Sequence, residues 1–253
     1  MAGLKPYEPP VAAVPPGFIA GARRVDAARG WTWIVEGFKF FLQAPGLWML
    51  AVLIFFGCVI LIGVVPLLGG IANMVLYPVF MAGFVTICRT LDAGEPMEIG
   101  QLFAGFRNNR TGDLVVCGAI AAAVMVGLLL PALLIVGGAG VFAALKGDAA
   151  AVAALGVTIV LVVLVMAAIS VPVYMALWFA APLAGDHGLK PVDALKASLF
   201  ACLKNVGAFL IYGLVALVLA LFATLPVGLG WLVLGPVLLA SVYVAYRDLF
   251  FEP

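Results

Sequence analysis

Charge is missing from four long stretches of this chain, and that absence decides what it can fold into. Residues 40–88, 114–145, 149–185 and 205–246 contain no Lys, Arg, Asp, Glu or His. A spanning helix needs only ~20 apolar residues to cross the hydrocarbon of a bilayer, so these stretches hold several spans. Hydrophobic residues make up 66% of the chain and charged residues 10%, with a mean hydropathy of +1.26. This is the composition of an integral membrane protein. A net charge of +1 gives no reason to expect nucleic acid as a partner.

Division of the stretches predicts spans at 47–65, 71–88, 114–145, 152–181, 206–225 and 231–246, six in all. The turns between them carry Pro66 to Gly70, Lys146-Gly147-Asp148 and Pro226 to Gly230. Residues 1–30 are polar and proline-rich without an apolar core before a cleavage site, so the first span is expected to serve as an uncleaved insertion signal. Of thirteen Lys and Arg residues, Lys146 alone falls on the side away from the termini. The positive-inside rule then predicts that both termini are cytoplasmic. Cys58, Cys88, Cys117 and Cys202 are scattered without metal-like spacing and read as small packing residues.

The chain repeats itself. Pro78-Val79-Phe80-Met81-Ala82, Pro172-Val173-Tyr174-Met175-Ala176 and Pro236-Val237-Leu238-Leu239-Ala240 fall in the second, fourth and sixth spans. Asp92 and Asp186 follow their prolines at one common offset, and Arg89 and Arg247 at another. The segment from Leu102 to Asn108 aligns with that from Leu199 to Asn205, and Phe40 to Ala44 is a fainter copy. The expected fold is therefore all-α: six transmembrane helices in three parallel hairpin repeats, at about 29–92, 93–188 and 189–253. Ahead of them lies a flexible Pro-rich cytoplasmic tail, residues 1–28, whose Lys5 to Pro10 run reads as a linker by default, with a docking peptide as the alternative. Each repeat should begin with an amphipathic helix at headgroup level. Its apolar face would carry Trp31, Ile34, Phe38, Phe41 and Leu42 in the first, Ile99, Leu102, Phe103 and Phe106 in the second, and Val192, Leu195, Leu199 and Leu203 in the third. Pro96 and Pro191 suit helix starts.

Chemistry is thin in this inventory. His187 stands in a loop without a Cys or carboxylate cluster at ligand spacing, and Asp92, Glu95 and Glu98 read as a solvated interfacial loop. No nucleophile-elbow, phosphate-cradling or zinc-protease pattern occurs, so neither enzymatic activity nor a cofactor is expected. Coupled carriers hold ionisable residues at membrane depth, and none can be placed there. Two groups of candidate site residues remain. Pro78, Pro172 and Pro236 would kink the even spans, and with Asn73, Tyr174 and Ser241 could line a path for a neutral or lipid-like solute. Arg107, Arg110, Lys196, Lys204 and Arg247 would face anionic headgroups, each contributing ~1 kcal/mol. The glycines Gly137, Gly138 and Gly140 would permit close helix contact.

Trp33 to Phe38, Ala93 to Pro96, Gly100 to Phe106 and Ser241 to Phe250 resemble a family of uncharacterised six-span inner-membrane proteins common in proteobacteria. The resemblance implies a bacterial inner-membrane location and the same six-helix layout, and it supplies no activity. In architecture alone, the plan is similar to membrane domains that accompany glycerophosphodiester phosphodiesterases. The functional expectation is a non-enzymatic scaffold, assembly or lipid-organising protein, with membrane lipid and a protein partner or second copy as its contacts. The alternative is a facilitator or exporter of a neutral or lipid-like solute.

Overall fold

The computed structural model describes residues 17–19, 21–147 and 149–252. The Lys5 to Pro10 run and Asp148 lie outside the described residues. Six helices are long and apolar enough to span a membrane: α2 (Pro45–Gly63), α3 (Leu68–Asp92), α5 (Thr111–Lys146), α6 (Ala149–Trp178) continued by the short α7 (Ala180–Gly185), α9 (Val206–Thr224) and α10 (Trp231–Phe250). Among the described residues there is no strand beyond one isolated bridge, Phe18 to Phe251. Span boundaries fall within a few residues of those expected. The fourth span is interrupted: α6 stops at Trp178, and the Phe179 amide donates to Ser198 Oγ at 2.9 Å, not into the helix. Proline is not confined to the even spans, since Pro131 lies inside α5.

Two of the three lead-in segments are helices, α1 (Arg29–Gln43) and α8 (Pro191–Lys204), with Pro191 in the first turn of α8. The middle one is not a single α-helix. Residues Ile99–Phe103 form a 3₁₀ turn that runs into the four-residue α4 (Ala104–Arg107). Gly100 and Gly105 weaken any α-helix there, and the turn starts at a reciprocal Glu98–Gln101 capping box, not at Pro96. Each lead-in lies against an even span: α1 on α10, the 3₁₀ turn and α4 on α3, α8 on α6. The approach is close. A Cβ on Gly105 would sit 2.0 Å from the Val79 carbonyl oxygen, and one on Gly37 would sit 2.6 Å from that of Val237. Both carbonyls belong to the residue after a span proline.

Packing is uneven along the membrane normal. Trp48, Ala51 and Val52 of α2, Phe84 and Ile87 of α3, Leu114 and Cys117 of α5, Leu177 of α6, and Leu249 and Phe250 of α10 are all buried, and all lie toward the end where the described chain begins and finishes, the terminus-bearing end. Toward the far end the helices present apolar side chains outward, as with Leu61, Leu134, Val163 and Leu221. The most hydrophobic windows of α3 and α10 are 56% and 61% buried, against 11% and 0% for α5 and the α6–α7 span. Gly137, Gly138 and Gly140 have open space where a Cβ would stand, so they mediate no close contact within the described chain.

Packed structure begins ahead of the expected boundary at Ala28. The Ile19 amide donates to the Phe250 carbonyl at 2.8 Å, Arg23 to Leu249 at 2.7 Å, and Glu252 to Gly17 at 3.2 Å. The backbone of the N-terminal segment finds its partners on the end of α10, which is why residues 21–28 do not behave as a linker.

Candidate headgroup-level site

The last turns of α10 carry the side chains that organise the terminus-bearing end. Tyr243 and Arg247 are one helical turn apart and share a face, and both reach Asp92 Oδ2 at the end of α3; the tyrosine hydroxyl donates over 3.3 Å. Asp248 turns the other way, into the lead-in layer. Its Oδ2 accepts from Arg29 Nε at 2.6 Å and from the Trp33 indole N–H at 2.8 Å, and its Oδ1 pairs with Arg23. The Asp248 side chain is only 4% exposed, so its carboxylate is withdrawn from water, where it would be costly uncompensated, while Arg23 and Arg29 remain partly exposed.

A second pair sits beside the first. Arg89 Nη1 lies 2.9 Å from Asp186 Oδ1. The other oxygen of Asp186 is buried and has no hydrogen-bond partner among the described residues, as is Nδ1 of the adjacent His187. His187 Nε2 is hydrogen-bonded to the Tyr246 hydroxyl, and the imidazole stacks on Phe18 with centroids 3.7 Å apart. Burial raises the Asp186 carboxyl to about 6 although Arg89 pulls it down. Burial lowers His187 to about 4, and the Arg89 charge adds to that shift.

These networks border a cleft of about 980 Å³. Arg24, Arg29, Glu36, Arg89 and Arg247 line it, with Phe40, Tyr243 and Tyr246 as aromatic wall. In all, five arginines and five carboxylates face it, so its formal charge balances.

The headgroup candidates divide. Arg107 and Lys196 are exposed and make no hydrogen bond or ion pair among the described residues. Arg110 is engaged with Asp113 at 3.5 Å and with the Gly188 carbonyl at 3.3 Å. Lys204 donates to the Ala22 carbonyl at 2.6 Å, and Arg247 is held by Asp92. The path candidates are not gathered round one cavity. Pro78 and Pro236 are buried in α3 and α10, whereas Pro172 and Tyr174 face outward from α6. Asn73 donates to the Val59 carbonyl at 3.0 Å, closing the α2–α3 hairpin. Ser241 is buried against the Tyr212 hydroxyl at 2.9 Å.

Asp92 is exposed as expected, but it ends α3 and pairs with Arg247, and Asp248, Trp33, Arg23 and Arg29 belong to a network that span-level reading passed over. One signal was available: Asp248 lies two residues past the uncharged stretch that ends at Tyr246, so it must be close to the end of the last span.

The chain is 30% identical over 212 residues to a probable inner membrane protein of Burkholderia thailandensis, a match covering 78% of this chain and 75% of the relative. It belongs to that protein's family. No family model matches the chain, and no solved structure matches it. With the six apolar helices, the kinship makes this a multi-pass integral protein of the inner membrane.

Proposed function

We propose that this inner-membrane protein works without catalysing a reaction, as a scaffold that orders lipid headgroups and seats a partner at the terminus-bearing face. The observation that carries the reading is the two-sidedness of the lead-in helices. On α1, Gly30, Trp33, Ile34, Gly37 and Phe41 are buried, while Trp31, Val35, Phe38 and Leu42 form an exposed apolar stripe at one-turn spacing. On α8, Ala194, Leu195, Ser198 and Ala201 are buried, while Val192, Phe200 and Leu203 face out beside Lys196. A helix fixed to the bundle on one face and apolar on the other suits the headgroup layer, where Trp and basic residues favour the boundary between hydrocarbon and water. Among the described residues, eleven of twelve cations lie at that end, which supports a cytoplasmic location for it.

The test is recovery of lipid and protein partners from native lipid discs. The Arg107→Gln/Lys196→Gln variant and a Trp31→Ser/Phe38→Ser variant should each lose co-purifying lipid or partner relative to the unaltered chain. Unchanged recovery in both, with folding intact, overturns the reading.

A further inference from the structure

We propose that the cleft at the terminus-bearing end binds a phosphodiester joined to a primary amine, the headgroup chemistry of a zwitterionic membrane phospholipid. This rests on the lipid-organising reading and names the lipid class.

The cleft presents donors that lack acceptors beside an acceptor that lacks a donor. Arg29, Arg89 and Arg247 each spend part of the guanidinium on a carboxylate, those of Asp248, Asp186 and Asp92. Both Nη atoms of Arg29, and Nη2 of Arg89 and of Arg247, have no bond among the described residues. Their carboxylate partners fix these side chains in place, so binding a phosphate costs little further side-chain ordering. Glu36, half-buried on the same wall, has neither a hydrogen bond nor an ion pair among the described residues. A partly desolvated carboxylate without a cation suits an ammonium group.

Charge balance narrows the ligand. With five arginines against five carboxylates on the wall, a bare polyanion gains little from the whole cleft, whereas a neutral zwitterion can meet both signs locally. The volume of about 980 Å³ is at the upper end of small-molecule sites. Position points to a lipid source. The cleft lies between the ends of α3 and α10 and the face of α1, level with the outward Trp31 and Phe38.

The experiment is native mass spectrometry of the full chain released from detergent, with three lipids of equal acyl chains. Phosphatidylethanolamine carries the amine, phosphatidylcholine replaces its N–H donors with methyls, and phosphatidylglycerol lacks the nitrogen. The unaltered chain should retain the ethanolamine lipid about tenfold better than either other lipid, the size expected for one charged hydrogen bond. Glu36→Gln should abolish that preference. Arg29→Lys, which keeps a cation for Asp248 and loses the paired Nη donors, should weaken retention of both the ethanolamine and glycerol lipids. Equal retention of all three lipids by the unaltered chain, or an ethanolamine preference that survives Glu36→Gln, overturns the proposal. Displacement of the lipid by an equal concentration of glycerophosphoethanolamine would place the ligand in solution and overturn the lipid assignment; no displacement supports it. Glu36 has no partner to lose among the described residues, so its variant reports on binding even where Arg29→Lys fails to fold. Partner recovery through Arg107 and Lys196 does not involve Glu36, so the two readings fail separately.

Discussion

At the scale of single residues, the terminus-bearing end depends on a few groups whose chemistry is committed to one another. Asp248 holds Arg23, Arg29 and Trp33 from the N-terminal part of the chain. Asp248→Ala would leave two guanidinium groups without their carboxylate and the indole N–H without an acceptor. Breaking a fully buried pair costs ~3–5 kcal/mol. Because Arg23 and Arg29 are 31% and 37% exposed, water recovers part of that, and a loss of ~2 kcal/mol is expected in thermal unfolding in detergent. Asp186 and His187 give a pH dependence of defined sign. The Asp186 carboxyl rises from 3.8 to about 6 in the folded chain, so its contribution to stability is full below the lower value and is lost as pH rises through about 6. His187 falls from 6.5 to about 4, so its contribution is present above the higher value and is lost as pH falls through about 4. Both groups are neutral between about pH 4 and 6, beside Arg89 and Tyr246. Between about pH 4 and 6 the two dependences have opposite sign and offset each other, so Asp186→Asn should unmask that of His187: the melting temperature of the variant should rise with pH from about 4 to 6.5 more steeply than that of the unaltered chain.

At the scale of elements, crossings between lead-in segments and even spans set the architecture, and they tolerate no added volume. Gly105→Ala puts a methyl 2.0 Å from the Val79 carbonyl oxygen, and separating the two segments should cost ~1–3 kcal/mol. Gly138→Ala, where the space is open, should be neutral or stabilising by a few tenths to ~1 kcal/mol through helix propensity. Melting temperatures of the two variants, measured side by side, check the contrast. Ser198 is the comparable point on α8: its hydroxyl donates to the Met175 carbonyl at 2.7 Å and accepts from the Phe179 amide. Ser198→Ala should cost ~1–3 kcal/mol by leaving that buried amide unpaired. These elements also show what sequence could and could not say. The spans were legible because membrane helices exclude charge over a known length. The stripes on α1 and α8 were legible as apolar, but which residues face the bundle was not. Trp31, Phe38 and Leu42 share spacing with Ile34 and Phe41, and helical periodicity cannot tell lipid from protein when both are apolar. The 3₁₀ turn was missed because the Ile99, Leu102, Phe103, Phe106 spacing fits an α-helix, while Gly100 and Gly105 act against one.

At the scale of the whole molecule, a packed layer at one end holds helices whose far halves are largely lipid-facing. The clasp that builds this layer joins residues at the two ends of the chain, which is why no local pattern announced it. Substituting an outward residue of the far half, such as Leu134→Phe, should leave the melting temperature unchanged within ~0.5 kcal/mol. The equivalent change in the packed half, Ala121→Phe, should unfold the chain at lower temperature. Topology has its own check. An impermeant thiol reagent should modify Arg24→Cys and Gly228→Cys from opposite faces of sealed vesicles, and reaction from the same face would contradict a six-span path.

The bridge between Phe18 and Phe251 has a topological meaning. The described path ends where it starts, so the helices are close to a closed circuit in which the position of the break is incidental to the packing. A permuted gene that joins residues 252 and 17 through a short flexible linker, and opens at Gly94, would keep every span in its orientation and carry its new ends to the same face.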